Sequence, residues 1–168
     1  MKIREDFVTN SSSSSFVLAF KDEKEYEQFK YRCYCFDYVE LADLIKIVLE
    51  KTDQETNRKN AIKLLNKYYY YEKYRDIIAK YFDLKQDDIN YYHTLFKLED
   101  TDVFKNKLEE YLHNDDEYMK KLHMIESAEK VAEVTIWDSN GGFLEWAIRN
   151  GFLRSEWWTG LVVQMDVG

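Results

Sequence analysis

His93, His113 and His123 stand twenty and ten residues apart, so no two have the i, i+4 spacing that sets a pair of metal ligands on one helix face. Cys33 and Cys35 flank Tyr34, and no second cysteine pair or nearby histidine pair completes a tetrahedral set around them. Side chains two positions apart diverge in a helix or a strand, so a mutual disulfide would be strained. The two cysteines therefore read as partly buried thiols in a reducing compartment, and neither a metal nor a cofactor is expected. Asp138-Ser139-Asn140-Gly141-Gly142 has the strand–turn–helix form in which a serine can be displayed beside helix N–H donors. It is not a Gly-x-Ser-x-Gly elbow and it carries no Walker-type lysine. Its simplest role is a helix cap, with Asp138, Ser139 and Asn140 as the ligand-binding alternative. Glu145 with Asp138, and Glu156 with Asp166, are the carboxylate pairs that acid–base work would need, although glutamates on helix faces are ordinarily solvated.

A different kind of chemistry lies in the charge distribution. The net charge is −8, and between Gln86 and Tyr118 ten acids face only Lys97, Lys105 and Lys107, a local balance of −7. A protein that binds nucleic acid directly is expected to carry the opposite bias. Carboxylates spaced along helices can instead present a phosphate-like surface to a basic protein. The interaction candidates are Asp87, Asp88, Glu109, Glu110, Asp115, Asp116 and Glu117, weighed against the plain alternative of a solvated face. Trp157 joins them: in a strand, Trp157 and Trp158 point to opposite sides, one into the core and one toward a helix, a ligand or a partner.

The elements that position these residues follow from periodicity. Phe16 to Phe20 reads as a buried strand, led in by Thr9 to Ser15, seven consecutive hydroxyl or amide side chains. That run fits a flexible or phosphorylated tail, a recognition tag, or the polar edge of the first strand. Helices are expected from Asp22, with Tyr26, Phe29 and Cys33 inward, and from Val39, with Leu41, Leu44, Ile45, Val48 and Leu49 as one stripe. Thr52-x-x-Glu55 has the form of a capping box opening one long helix to about Phe82. Its inward residues are Ala61, Leu64, Leu65, Tyr68, Tyr71, Ile78 and Phe82. A helix over 86–98 would bury Ile89, Tyr92 and Phe96. Another starts at Thr101, and a third is capped by Asn114. Alternation of β-branched residues predicts a strand over 131–138 with Ala132, Val134 and Ile136 on its core face, and a last strand over 157–167.

The expected fold is therefore one α+β domain, 1–168: a small, mostly antiparallel three-stranded sheet from both chain ends, with residues 22–130 as a helical insertion or lobe. No apolar stretch approaches the ~20 residues needed to span a bilayer, so a cytoplasmic protein is expected. Val8-Thr9-Asn10, Ser11 to Ser15 and Phe16-Val17, just behind a short charged N-terminus, resemble the opening of many small uncharacterised proteins of low-GC Gram-positive bacteria, their phages and mobile elements. The resemblance covers about the first twenty residues, with a weaker echo at 138–141, and it brings no activity with it. The function expected from residues and resemblance together is that of an acidic, non-enzymatic interaction protein. In its specific form it inhibits a nucleic-acid-handling or defence enzyme of the host by docking acids into a basic groove. A small-ligand protein or hydrolase-like enzyme at 138–142 is the alternative, and an oligomer covering a tryptophan is a third.

Overall fold

A computed structural model describes residues 13–35, 39–85, 89–137 and 161–167. The chain is α+β, mostly helical with a small antiparallel sheet. In order it forms β1 (Ser13–Phe20), α1 (Glu23–Cys35), α2 (Val39–Lys51), α3 (Gln54–Tyr69), a π-helical turn (Tyr70–Tyr74), α4 (Arg75–Tyr81), α5 (Tyr91–Glu99), α6 (Asp102–His113), α7 (Asp116–Ser127), β2 (Lys130–Trp137) and β3 (Leu161–Val167). β1 is the central strand: Ser15 pairs with Thr135 of β2 and with Met165 of β3, both antiparallel.

β1 is buried on both faces, because successive side chains of a strand point to opposite sides and here each side has its own helical layer. Leu18 and Phe20 pack with Ala132 and Val134 against Tyr26, Phe29 and Cys33 of α1 and Leu41, Ala42 and Ile45 of α2. Val17, Ala19 and Val131 pack on the opposite side against Ala61, Leu64, Leu65 and Tyr69 of α3 and Tyr118 and Ile125 of α7. The single core face expected for β2 is corrected accordingly, since Val131 is as buried as Ala132. A third cluster contains no strand residue: Tyr70, Ile78, Ala79, Tyr91, Leu95 and Phe104 join the π turn, α4, α5 and α6.

The serine run enters the sheet. Ser13, Ser14 and Ser15 lie opposite residues 135–137 on one side and 165–167 on the other, and Ser15 is buried. These three are therefore strand residues and not a loose tail, whereas Ser11 and Ser12 lie outside the described residues.

Four local expectations are overturned, each for a physical reason. The long helix to Phe82 is broken at the tyrosines: the π turn inserts an extra residue, and that lets adjacent rings enter different cores. Tyr69 goes to the sheet side and Tyr70 to the α4–α6 cluster, while Tyr71, expected inside, is exposed. The cap of α3 is Asp53, not Thr52: its carboxylate accepts from the Thr56 N–H at 2.9 Å and the Thr56 hydroxyl at 2.7 Å. The cap of α7 is Asp115, not Asn114, whose amide donates backward to the Glu110 carbonyl at 2.8 Å. Finally, the buried face of α5 is Tyr91 and Leu95, Tyr92 and Phe96 point outward, and Ile89 is exposed in the turn before the helix. Both faces of this segment carry apolar residues, so periodicity alone did not choose between them.

Long-range polar contacts lock the layers. Arg58 of α3 donates to the Ile125 and Ala128 carbonyls at the end of α7, at 3.3 and 2.8 Å, satisfying acceptors that the helix itself leaves open. The Gln54 side chain accepts from the Val131 N–H at 2.8 Å and ties the start of α3 to β2. α4 ends in a Schellman arrangement: Leu84 N–H donates to the Ala79 carbonyl at 2.9 Å and Asp83 N–H to that of Lys80 at 3.1 Å. Asp83 holds the left-handed position, φ 56°, where glycine has no Cβ to crowd. Asp83→Gly is expected to raise stability by up to about 1 kcal/mol, read as a higher urea midpoint with unchanged slope.

Candidate functional site

The acidic surface is built on α6 and α7. Thr101 caps α6, accepting from the Phe104 N–H at 3.3 Å and donating to the Leu98 carbonyl at 2.7 Å, which fixes α6 against the end of α5. Phe104 and Leu112 bury one side of α6, and Tyr118 and Ile125 bury one side of α7. The remaining positions, with most of the carboxylates, face outward.

The five described candidates have three different fates. Asp115 turns inward, its side chain only 8% exposed. It accepts from the Tyr118 N–H at 3.0 Å as the α7 cap, from the Tyr74 hydroxyl at 2.6 Å and from Lys73 Nζ at 3.1 Å. Burial works to raise its pKa, but these donors and the Lys73 charge outweigh it and hold the carboxyl at about 2. The same contact, after burial itself, pushes the Tyr74 hydroxyl up to about 12. Glu110 and Glu117 are exposed but ion-paired: Glu110 meets Lys107 at 2.7 Å, and Glu117 meets Lys121 at 2.7 Å and Lys73 at 3.4 Å. The hydrogen bond from Lys121, ahead of its charge, lowers the Glu117 pKa. Glu109 and Asp116 are exposed and enter none of these pairs. Asp87, Asp88 and Trp157 lie outside the described residues, as do Asp138, Ser139 and Asn140 of the alternative site.

The lysines inlaid in this surface are what the sequence reading missed. Lys107–Glu110 and Lys121–Glu117 were legible as i, i+3 and i, i+4 neighbours. Lys73 was not, since it reaches Asp115 from 42 positions away and from within the π turn. These cations also sit on rings: Lys73 and Lys121 lie 5.0 and 5.3 Å from the centre of Tyr69, and Lys107 lies 4.5 Å from that of Tyr81. Glu110 and Glu117 face solvent, whereas the Lys107 and Lys121 side chains that pair with them are only 18% and 23% exposed.

No family model, no curated protein and no solved structure matches this chain.

The other chemistry-bearing residues are kept apart. Among the described residues, no group of three or more His, Cys, Asp or Glu side chains is placed to hold a metal ion. Cys33 is buried, and desolvation pushes its thiol up to about 12, so it stays protonated at neutral pH and is a poor nucleophile. Cys35 is exposed. His113 directs Nδ1 to the Glu109 carbonyl at 2.8 Å, a contact along its own helix. A cavity of about 320 Å³ beside the α4–α5 connection is lined by Asp83, Leu84, Lys85, Tyr91 and Thr94, without a carboxylate pair or a base–nucleophile pair. Among the described residues no helix is long and apolar enough to cross a membrane.

Proposed function

We propose that the chain is an acidic, non-enzymatic interaction protein that docks its α6–α7 surface on a basic protein, and that the partner is an enzyme which otherwise grips nucleic acid there. The observation that supports the reading is the fate of the acids: Glu109 and Asp116 stand exposed and outside the ion pairs among the described residues, on two capped helices. Helix-borne carboxylates of this kind present fixed negative charge, and they lose little conformational freedom on binding because their backbone is already ordered. The charge of −8, with −7 of it between Gln86 and Tyr118, steers a cationic surface toward this face and repels DNA and RNA. The scaffold belonging to this reading is a three-stranded sheet from both chain ends, carrying the helical middle, and its setting is the cytoplasm of a low-GC Gram-positive host.

The test separates surface charge from structural charge. Reversing Asp115 would unfold its cap, so Glu109→Lys/Asp116→Lys is the informative variant, with circular dichroism to show that its fold and melting temperature are kept. In affinity capture from a nuclease-treated lysate of a low-GC Gram-positive bacterium, the wild-type chain is expected to retain a basic nucleic-acid-handling enzyme that the double variant loses. Capture of the same proteins by both would refute the acidic surface as the docking face.

A further inference from the structure

We propose that α4 and α5 open together as one cooperative unit while the sheet stays folded, and that opening uncovers an aromatic surface made by Tyr70 and Phe104. Every buried residue of the two helices belongs to one cluster: Ile78 and Ala79 of α4, and Tyr91 and Leu95 of α5. Among the described residues that cluster contains no strand residue, and neither core beside the sheet contains a residue of α4 or α5. Stability in a folded chain is divided among contiguous cooperative units, and elements with few buried apolar contacts lie at its low end. Opening of this kind needs no partner on the acidic surface.

The two helices depend on each other. α4 has seven residues and α5 nine, and helices shorter than about 12 residues are marginal without packing. α4 follows α3 only through the π turn, where the regular ladder of hydrogen bonds is interrupted. Released from their shared cluster, both lose the packing that keeps them helical, so they are lost in one step. Their joint core is also incompletely satisfied. Tyr91 is 4% exposed, and its hydroxyl has no hydrogen-bond partner among the described residues, which raises the energy of the closed form. The cavity of about 320 Å³ runs beside Leu84 and Tyr91, so these side chains lack packed neighbours on that side. Ile77, Tyr81, Tyr92 and Phe96 stay exposed, so the closed form buries only part of the apolar surface that the two helices carry.

What the pair covers lies on the π turn and on α6. Tyr70 and Phe104 are buried, edge-on to each other with ring centres 5.5 Å apart. Phe82, at the end of α4, stacks on Phe104 at 6.1 Å, Lys107 of α6 lies over Tyr81, and the Tyr70 hydroxyl donates to Glu99 at the end of α5. These are the contacts that opening breaks. α6 itself is held from its other end, because Leu112 belongs to the sheet-side core and Leu108 packs against both clusters. Phe104 lies on the helix that carries Glu109, so opening adds apolar surface to an acid-bearing helix that stays in place.

The test is native-state hydrogen exchange of the full chain, followed by NMR from zero urea to just below the unfolding midpoint. Amides of α4 and α5 are expected to share one opening equilibrium, populated at least about tenfold more than the opening of β1 and β2. Leu95→Ala is expected to accelerate exchange in both helices at least about tenfold and to leave β1 and β2 unchanged. Tyr91→Phe, which keeps the ring and removes the unpartnered hydroxyl, is expected to slow exchange in both helices and only there. Protection of α4 and α5 equal to that of β1 overturns the proposal, and so does a Leu95→Ala chain whose sheet loses its protection or fails to fold. A change confined to α5 in either variant overturns it as well, because helices that fray separately give that result.

Discussion

Replacing Phe20 with alanine is expected to lower the unfolding free energy by about 3–5 kcal/mol, enough to consume much of a typical domain's stability. The ring is fully buried where the central strand meets α1, with Tyr26 edge-on at 5.3 Å and Phe29 tilted at 5.3 Å between ring centres. Leu41 and Ile45 of α2 belong to the same cluster, so shrinking the residue opens a void that three elements would have to close. Partial collapse is the reason for the range. Urea denaturation followed by circular dichroism measures the loss directly. Tyr31→Ala on α1, at a position 70% exposed, is the control and is expected to stay within about 0.5 kcal/mol of wild type. A Phe20→Ala loss no larger than that of the control would contradict the packing of β1 against α1 and α2.

Asp115→Ala is expected to cost about 2–3 kcal/mol. Loss of the α7 cap accounts for about 1 kcal/mol, and the remainder comes from leaving the Tyr74 hydroxyl and Lys73 without their shared acceptor. Asp115→Asn keeps the cap and is expected to recover about half of the loss. The pH dependence has a definite sign. The folded carboxyl sits at about 2, below the 3.8 of an ordinary aspartate, so the folded state favours the ionised form. Its contribution is complete above about pH 4 and disappears as pH falls toward 2. At about 1.4 kcal/mol per pH unit the linkage amounts to about 2 kcal/mol, reduced to about 1–2 because Lys73 is itself open to solvent. Urea midpoints of wild type and Asp115→Asn, compared from pH 5 down to pH 2, should therefore converge on acidification. A gap that stays constant over that range would mean that Asp115 acts through shape alone.

Much of this architecture was legible in the residues. The stripes of α1 and α2 and the apolar run of β1 each impose one local geometry, and tertiary packing agreed with them; the alternation of β2 gave a strand but not its second buried face. Legibility failed where two choices were locally equivalent. Thr52 and Asp53, or Asn114 and Asp115, are adjacent residues that can each cap a helix, and the contact with Lys73 and Tyr74 distinguishes Asp115. In Tyr68 to Tyr71, rings on all sides gave no preferred face, and the π turn resolved the conflict by sending neighbours into separate cores. In α5, Tyr91 and Leu95 competed with Tyr92 and Phe96 for the inside, and Ile89 fell in the turn before the helix. The outcome depended on Phe104 and Ile78, which are remote in sequence from one another.

The acidic face shows the same limit. A count of charges selects a segment, but it cannot separate Asp115, whose carboxylate is turned inward as a helix cap, from Glu109 and Asp116, whose charge faces solvent. That division matters for function, because only the second kind is available to a partner without loss of structure.

The claim that these exposed carboxylates occupy a nucleic-acid groove is tested most directly by competition. The captured enzyme is loaded with a fluorescent oligonucleotide, and anisotropy is followed as this chain is added at increasing salt. The account predicts that anisotropy falls to the value of free oligonucleotide, that more chain is needed as salt rises, and that Glu109→Lys/Asp116→Lys releases nothing. An anisotropy that stays constant or increases, with chain and oligonucleotide bound to the enzyme together, would contradict it.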